Sequence, residues 1–271
     1  MFMTAEVIHP TKMIKATLSS RRFRKVSIFN NLDTYSLKAR VYPALLTLIP
    51  SIIIGAVWLS THATRFKSLG ILICTCGGLF VLANISRSLG KKLEQKLLIK
   101  WGGWQTTKLL RHRDSQLDLH SKNRYKNTLE AHLENLKFPT ADEERTNPSE
   151  ADAIYSTAIS YLIEKTRDPK SFSILLNENI HYGFWRNLLG LKPIALAILM
   201  GSLGFHLFMV FQTEGITEIS TINLVLILIL ISNTTLWLLL VKEKSVERAG
   251  YIYAKQLLKS SDQIIPESKK K

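Results

Sequence analysis

Four apolar runs without a charged residue constrain the fold of this chain more than any other feature. They cover residues 42–59, 69–85, 193–211 and 222–241. A run of about 18 apolar residues is long enough to cross the hydrocarbon core of a bilayer as a helix. Lipid offers no hydrogen-bond partners to the backbone, so such segments must be helical. The sequence therefore predicts an all-α integral membrane protein with four transmembrane helices in two hairpins.

The distribution of positive charge predicts the orientation of these helices. Of the 36 Lys and Arg residues, 34 lie before the first run, between the second and third, or after the fourth. The positive-inside rule places those segments in the cytosol, which leaves two short loops outside. The expected organisation is a basic arm at 1–41, a hairpin at 42–87, a cytosolic helical domain at 88–192, a second hairpin at 193–241 and a basic tail at 242–271. We expect a multi-pass protein of a bacterial inner membrane.

The net charge of +15 has two explanations. A strongly basic chain can bind nucleic acid. Basic segments beside a membrane are also attracted to anionic lipid headgroups, and the predicted topology already requires them. Lipid needs fewer assumptions, so we expect the bilayer as a partner and do not expect nucleic acid.

The segment between the hairpins is predicted to be helical, because no strand-like alternation persists in it. Leu89, Leu93 and Leu97 extend the second apolar run as a helix to about Lys100, before two consecutive glycines. Further helices are predicted over 115–137 and 149–166, with a short stretch at 171–177. The chain then re-enters the membrane over 181–192, with Asn177 and Glu178 as expected caps of that helix.

Small residues recur at four-residue spacing in three of the runs, which is typical of helices that pack closely in lipid. The predicted helix-packing positions are Thr47, Ser51, Gly55, Gly70, Cys74, Gly78, Ala197 and Gly201. Together with the number of spans, they favour a packed bundle that forms a homo-oligomer.

The polar side chains within the apolar runs include Asn233, Asn84 and His206. They line a pore or a site between helices, or they form interhelical hydrogen bonds that fix the assembly. Ion-coupled transporters usually carry ionisable residues in their spans, and these runs carry no Asp, Glu, Lys or Arg. A channel, an oligomeric pore or an anchor is therefore favoured over a coupled transporter.

One cytosolic cluster combines the groups that recognise phosphate: a Gly-Gly turn, hydroxyls and cations within a short stretch. The candidate contacts are Thr106, Thr107, Lys108, Arg111, His112 and Arg113. The ligand would be a signalling nucleotide or a lipid headgroup. Alternatively, the segment is a turn at the membrane surface whose cations touch lipid.

Candidate catalytic and metal-binding residues do not form a complete set. Glu178 and His181 could act as an acid–base pair or as two metal ligands, but two ligands do not make a metal site. We therefore expect no enzymatic activity, no metal and no cofactor.

The layout of two hairpins around a cytosolic domain resembles that of bestrophin-type channels. It also resembles the compact membrane effectors of bacterial signalling and anti-phage systems, although no diagnostic motif is shared. The leading hypothesis is a membrane effector or channel-like module gated by its cytosolic domain, in bacterial stress or anti-phage defence. The alternatives are a scaffold that recruits a cytosolic protein, and a membrane enzyme acting on lipid or phosphate compounds.

Overall fold

The protein is all-α over the residues that the structure describes. The computed structural model describes residues 34–60, 65–133, 135–215 and 219–264, without the side chains of residues 59–76. The predicted arm therefore lies mostly outside the described residues. Its described end forms an α-helical turn at Thr34–Ser36 and a π-helical turn at Leu37–Val41, which lead into the first long helix.

The helices follow one another with short connections. They are α1 Tyr42–Ser60, α2 Arg65–Trp101, α3 Gln105–Leu110, α4 Leu119–His132, α5 Ala141–Thr146, α6 Pro148–Lys165, α7 Ser173–Thr213, α8 Thr221–Leu240 and α9 Glu243–Lys259. A 3-10 turn at Ser260–Gln263 follows α9.

Among the described residues, three helices are long and apolar enough to cross a membrane: Thr34–Trp58, α7 and α8. Length and hydropathy thus support a multi-pass membrane protein. The second apolar run is helical as part of α2. Because the side chains at its outer end are not described, its place in the membrane stays a prediction.

Two helices extend far beyond their apolar runs. At 1.5 Å per residue, the 37 residues of α2 span about 55 Å and the 41 residues of α7 about 60 Å. The predicted extension of α2 is confirmed, and it ends where Gly102 and Gly103 adopt φ values of 72° and 117°. These are left-handed values that glycine adopts without strain.

The predicted break before the third apolar run is wrong. Helix α7 is continuous from Ser173, so Asn177 and Glu178 lie inside it and do not cap a re-entering helix. The reason is packing, since Leu175, Ile180 and Leu188 of the same helix are all buried. Tertiary contact on one face carries the helix through a stretch whose sequence suggested an interruption.

A helical domain, defined as α3–α6 together with α9, lies beside the long helices. Its core is built around the fully buried Tyr155, and it includes Leu109, Leu110, Leu129, Leu162, Leu257 and Leu258. The last two belong to α9, so residues expected as a basic tail complete the core. The signal was present in the sequence, because Val246, Ala249 and Tyr253 repeat at helical spacing.

Side-chain caps set the starts of two predicted helices. Helix α4 begins at Leu119 rather than residue 115, because the Asp118 carboxylate accepts a hydrogen bond from the Ser121 N–H at 2.8 Å. Helix α6 begins at Pro148 rather than residue 149, because Asn147 caps it through the Glu150 N–H. Proline suits the first helical position, where its missing N–H costs nothing.

A close helix crossing joins α2 to α7 at Gly90 and Gly190, which were not among the predicted packing positions. A Cβ atom on Gly190 would lie 2.7 Å from the Gly90 nitrogen, and one on Gly90 would lie 2.2 Å from Asn187 Oδ1. Only glycine on both helices permits this approach of backbones.

The small residues predicted to pack have a mixed outcome. Ser51 bonds Ser202 at 3.0 Å between α1 and α7, and the buried Thr47 hydroxyl donates to the Pro43 carbonyl. At Gly55, Gly78 and Gly201, no described atom lies within 4 Å of a Cβ built there, so the described residues show no close packing at these three positions. Ala197 is exposed. Gly70 and Cys74 lie in the stretch 59–76, whose side-chain surroundings are not described. Spacing marks small residues but does not say which of them face a neighbouring helix.

Replacing Gly190 with alanine should destabilise the fold by about 1–3 kcal/mol, because the methyl group meets backbone atoms of α2. The matched control is Gly201→Ala on the same helix, where the space is open and the higher helix propensity of alanine acts alone. Thermal unfolding of the detergent-purified variants measures both. Equal unfolding temperatures for the two variants would contradict the crossing.

Candidate functional site

A buried polar cluster joins the long helices beyond their apolar runs. Glu94 of α2 and Arg186 of α7 are each 8% exposed, and Arg186 Nη1 lies 3.0 Å from Glu94 Oε1. The same carboxylate oxygen accepts a 2.7 Å hydrogen bond from the Tyr182 hydroxyl. Burying charge is costly unless it is paired and hydrogen-bonded, and here both conditions hold.

This junction cluster also reaches the N-terminal helical turn. Arg186 Nε donates to Asn187 Oδ1 at 3.3 Å, and Asn187 Nδ2 donates to the Ala39 carbonyl at 2.7 Å. Three chain segments are thus tied at one level of the molecule. The cluster was not predicted from the sequence, since Glu94 and Arg186 are 92 residues apart in the chain. Its only local signal is a basic residue four positions after a tyrosine on one helix.

Residues of the segment predicted to bind phosphate hold several parts of the helical domain together. Arg111 follows α3 and makes a two-point ion pair with Asp152 of α6, at 2.8 Å from Nε and 2.6 Å from Nη2. It also donates to the Gly102 carbonyl at 3.0 Å. Lys122 of α4 donates to the Arg111 and Asp114 carbonyls, both at 2.6 Å. These bonds use Arg111, one of the three cations that the sequence predicted to contact phosphate.

His112 takes part in a second buried network. The backbone N–H of His112 donates to Glu144 Oε2 at 2.7 Å, and the Tyr155 hydroxyl donates to the same oxygen at 2.7 Å. Its Nε2 lies 2.9 Å from the Pro139 carbonyl oxygen and 3.0 Å from Lys126 Nζ. The imidazole therefore lies between a backbone acceptor and a lysine inside the domain.

Burial shifts the acid–base behaviour of this network. Burial lowers the pKa of Lys126 to about 8, although the nearby Glu144 carboxylate partly opposes the shift. Burial, followed by the bond to Glu144, raises the pKa of Tyr155 well above its ordinary value. Burial alone would raise the pKa of Glu144, but the hydrogen bonds from His112 and Tyr155 hold it below its usual value. The network favours a charged Glu144 and a neutral Tyr155.

The predicted phosphate contacts are consequently not brought together. Thr106 and Thr107 are buried and line a cavity, and Lys108 lies over the Tyr251 ring at 5.6 Å. Arg113 is largely exposed, 4.0 Å from Glu144. Helical rotation explains the separation, because consecutive residues of α3 and of the turn after it point in different directions.

The cavity beside Thr106 and Thr107 has a volume of about 240 Å³. It lies where α3 and α6 of the helical domain meet α7 and α9. Its walls include Gln105, which is 2% exposed and whose Nε2 has no hydrogen-bond partner among the described residues. They also include Tyr182, the residue that donates to Glu94 in the junction cluster.

The polar residues of the apolar runs lie apart from one another. His206 is fully buried and bridges three helices, since Trp58 Nε1 donates to its Nδ1 at 2.9 Å and its Nε2 lies 3.3 Å from the Asn223 carbonyl. Asn84 donates to the Phe80 carbonyl on its own helix. Asn233 Oδ1 is buried without a hydrogen-bond partner among the described residues. The described chain therefore does not bring these three residues into one site.

Glu178 and His181 lie one turn apart on α7, with 4.0 Å between Oε2 and Nδ1. His181 Nε2 accepts a hydrogen bond from Trp185 Nε1 at 2.8 Å, which occupies its second nitrogen. The described part of the chain holds no group of three His, Cys, Asp or Glu residues that could bind a metal ion.

No protein-family model matches the chain, and no curated protein and no solved structure is significantly similar to it.

Replacing Arg111 with alanine should destabilise the helical domain by about 2 kcal/mol or more, because Asp152 loses its partner in a largely buried ion pair. The matched control is Arg145→Ala, which breaks an exposed pair with Asp142 and should cost about 0.5 kcal/mol or less. Thermal unfolding measures both. An Arg111 variant as stable as the Arg145 variant would exclude the structural role.

The stability of the protein should rise between about pH 8 and pH 10. In that window the unfolded chain keeps Lys126 protonated, whereas the folded protein has released the proton. The rise in the free energy of unfolding is at most about 1.4 kcal/mol per pH unit for this residue. Lys122, whose pKa burial also lowers, acts in the same direction, and above about pH 10 the raised pKa of Tyr155 acts in the opposite one.

Lys126→Met should therefore flatten the pH dependence of the unfolding temperature in this window. Lys170→Met, at an exposed loop position, is the control and should leave the slope unchanged. The same slope in both variants would show that Lys126 is not the group responsible.

Proposed function

We propose that this protein is a multi-pass membrane effector or channel-like module whose helical domain controls the membrane helices. In this proposal the chain crosses a bacterial inner membrane four times and forms homo-oligomers. Both termini and the helical domain lie in the cytosol. A ligand or protein bound to the helical domain would rearrange the bundle or open it.

The observation that carries the proposal is the continuity of the long helices. Helices α2 and α7 run without interruption from their apolar runs into the contacts of the helical domain. Helix α9 packs both on α7 and on α3, and it follows α8 after two residues. A displacement of the domain would therefore act directly on α2, α7 and α8, because packed helices transmit movement with little compression.

In this proposal the junction cluster would act as a bistable element. A buried ion pair resists partial separation, since either charge left alone would be strongly destabilised. Glu94 and Arg186 hold α2 and α7 in one arrangement at the level where the domain begins. A second arrangement would need a new set of partners for both, which favours two discrete states over gradual movement.

Assembly into oligomers is supported by Asn233. Its side chain lines a groove on α8 with apolar neighbours, Leu228, Ile229 and Leu236 among them. An amide oxygen without a partner is costly in lipid. Asparagine carries both donor and acceptor, so the same residue of a second copy could satisfy it across a two-fold axis.

The test is the permeability of liposomes that contain the purified protein, measured by release of a trapped dye and by ion flux. We expect permeability in the wild type or in Glu94→Gln, because the amide leaves Arg186 without its counter-ion and weakens the arrangement of α2 on α7. The variant should leak more than the wild type. Tight liposomes for both proteins, whatever the pH or salt, would contradict the proposal.

The matched control is Glu243→Gln, which removes the exposed partner of Lys100. Solvent replaces that interaction, so its permeability should equal that of the wild type. The mass of the purified particle, compared with that of Asn233→Leu, shows whether copies associate through α8. A smaller particle for this variant supports that interface.

A further inference from the structure

A cavity of about 240 Å³ lies between the helical domain and α7. An apolar cavity of about 150 Å³ in a protein can hold a benzene molecule. The space here is therefore sufficient for a molecule of one or two fused rings. It is too small for a long chain or a folded peptide.

The side chain of Gln105 forms part of one wall of the cavity. Gln105 is 2% exposed, and its Nε2 has no partner among the described residues. The amide lies against Gly250, where a Cβ would be 3.3 Å from Gln105 Oε1. Native proteins rarely bury such a donor unpaired, so the position calls for an acceptor that the described chain does not provide.

The other walls are aromatic and neutral. The rings of Tyr182 and Tyr253 are nearly parallel, with centroids 6.4 Å apart, and Trp104 lies at the exposed side. Burial raises the pKa of Tyr253 to about 12, so its hydroxyl is uncharged. Thr106, Thr107, Ser156 and Ser160 add hydroxyl-bearing side chains to the lining, and no charged side chain is found in its described part. Aromatic walls with few polar groups are typical of small-molecule sites.

We propose that this cavity binds an uncharged, planar heteroaromatic molecule whose ring nitrogen or carbonyl accepts a hydrogen bond from Gln105 Nε2. The proposal deepens the proposed function by naming the class of ligand that the helical domain receives. A gating role for the ligand rests on the proposed channel-like function, whereas binding of the ligand to the cavity does not depend on it. The coupling would run through Tyr182, which lines the cavity and donates to Glu94 in the junction cluster.

Two probes of equal size test the acceptor directly. Benzimidazole is neutral at about neutral pH and offers a ring nitrogen as acceptor, whereas indole has the same fused rings without that acceptor. Isothermal titration of the detergent-purified full chain gives both affinities. We expect benzimidazole to bind at least about fivefold more tightly than indole, the effect of one neutral hydrogen bond. No heat of binding for benzimidazole up to about 10 mM would overturn the proposal.

Gln105→Leu removes the donor and puts an apolar side chain of similar size in its place. It should abolish the preference for benzimidazole and leave the affinity for indole within about twofold. If Gln105→Leu binds benzimidazole as tightly as the wild type, the amide is not the recognition group. If that variant fails to fold, the indole comparison in the wild type still decides the proposal.

Position is tested by a pair of variants on α6. Ser160 is at the rim of the cavity, and Ser160→Trp should block both probes. The control is Thr157→Trp, at an exposed position of the same helix outside the cavity lining. Unchanged benzimidazole binding in Ser160→Trp would place the site elsewhere and overturn the proposal.

The binding and permeability measurements distinguish a failure of the proposed site from a failure of the proposed gating. Benzimidazole that binds without changing liposome permeability confirms the site and argues against control by the helical domain. Permeability of the wild type together with absent binding overturns the site and leaves the channel-like function intact.

Discussion

The ion pair between Glu94 and Arg186 is the interaction on which the rest of the structure depends. Two long helices come together at a glycine crossing, and just beyond it these charged side chains are buried against each other. Neither charge is tolerable there alone. The pair therefore fixes the rotation of α2 relative to α7, and the rotation decides which residues of each helix face the helical domain.

The helical domain is also held together by ion pairs and hydrogen bonds of buried side chains, made by other residues. Arg111 and Asp152 join the turn after α3 to α6, while Glu144 collects donors from His112 and Tyr155. Because α9 supplies two leucines to the core and also packs on α7, the domain and the long helices share one element. The cavity at Gln105 lies at this shared boundary, which is why a molecule bound there would touch both parts.

Much of the fold was predictable from the sequence because apolar patterning acts locally. The extension of α2 and its stop at Gly102 followed from leucine spacing and backbone freedom. The break predicted in α7 was wrong, because buried contacts at Leu175 and Ile180 override a weak local signal. The packing glycines were misassigned for a related reason, since spacing reports small residues without reporting what lies opposite them.

The sequence by itself determined the helical class, the apolar spans and the charge asymmetry, because each depends on the composition of a continuous stretch. Tertiary structure alone decided the use of the polar side chains. Arg111 and His112 looked like phosphate contacts, yet in the fold Arg111 pairs with Asp152 and the His112 imidazole lies against the Pro139 carbonyl and Lys126. Gln105 carried no signal in the chain, and it matters only because four helices enclose it. Such roles arise from residues far apart in sequence, so no local pattern encodes them.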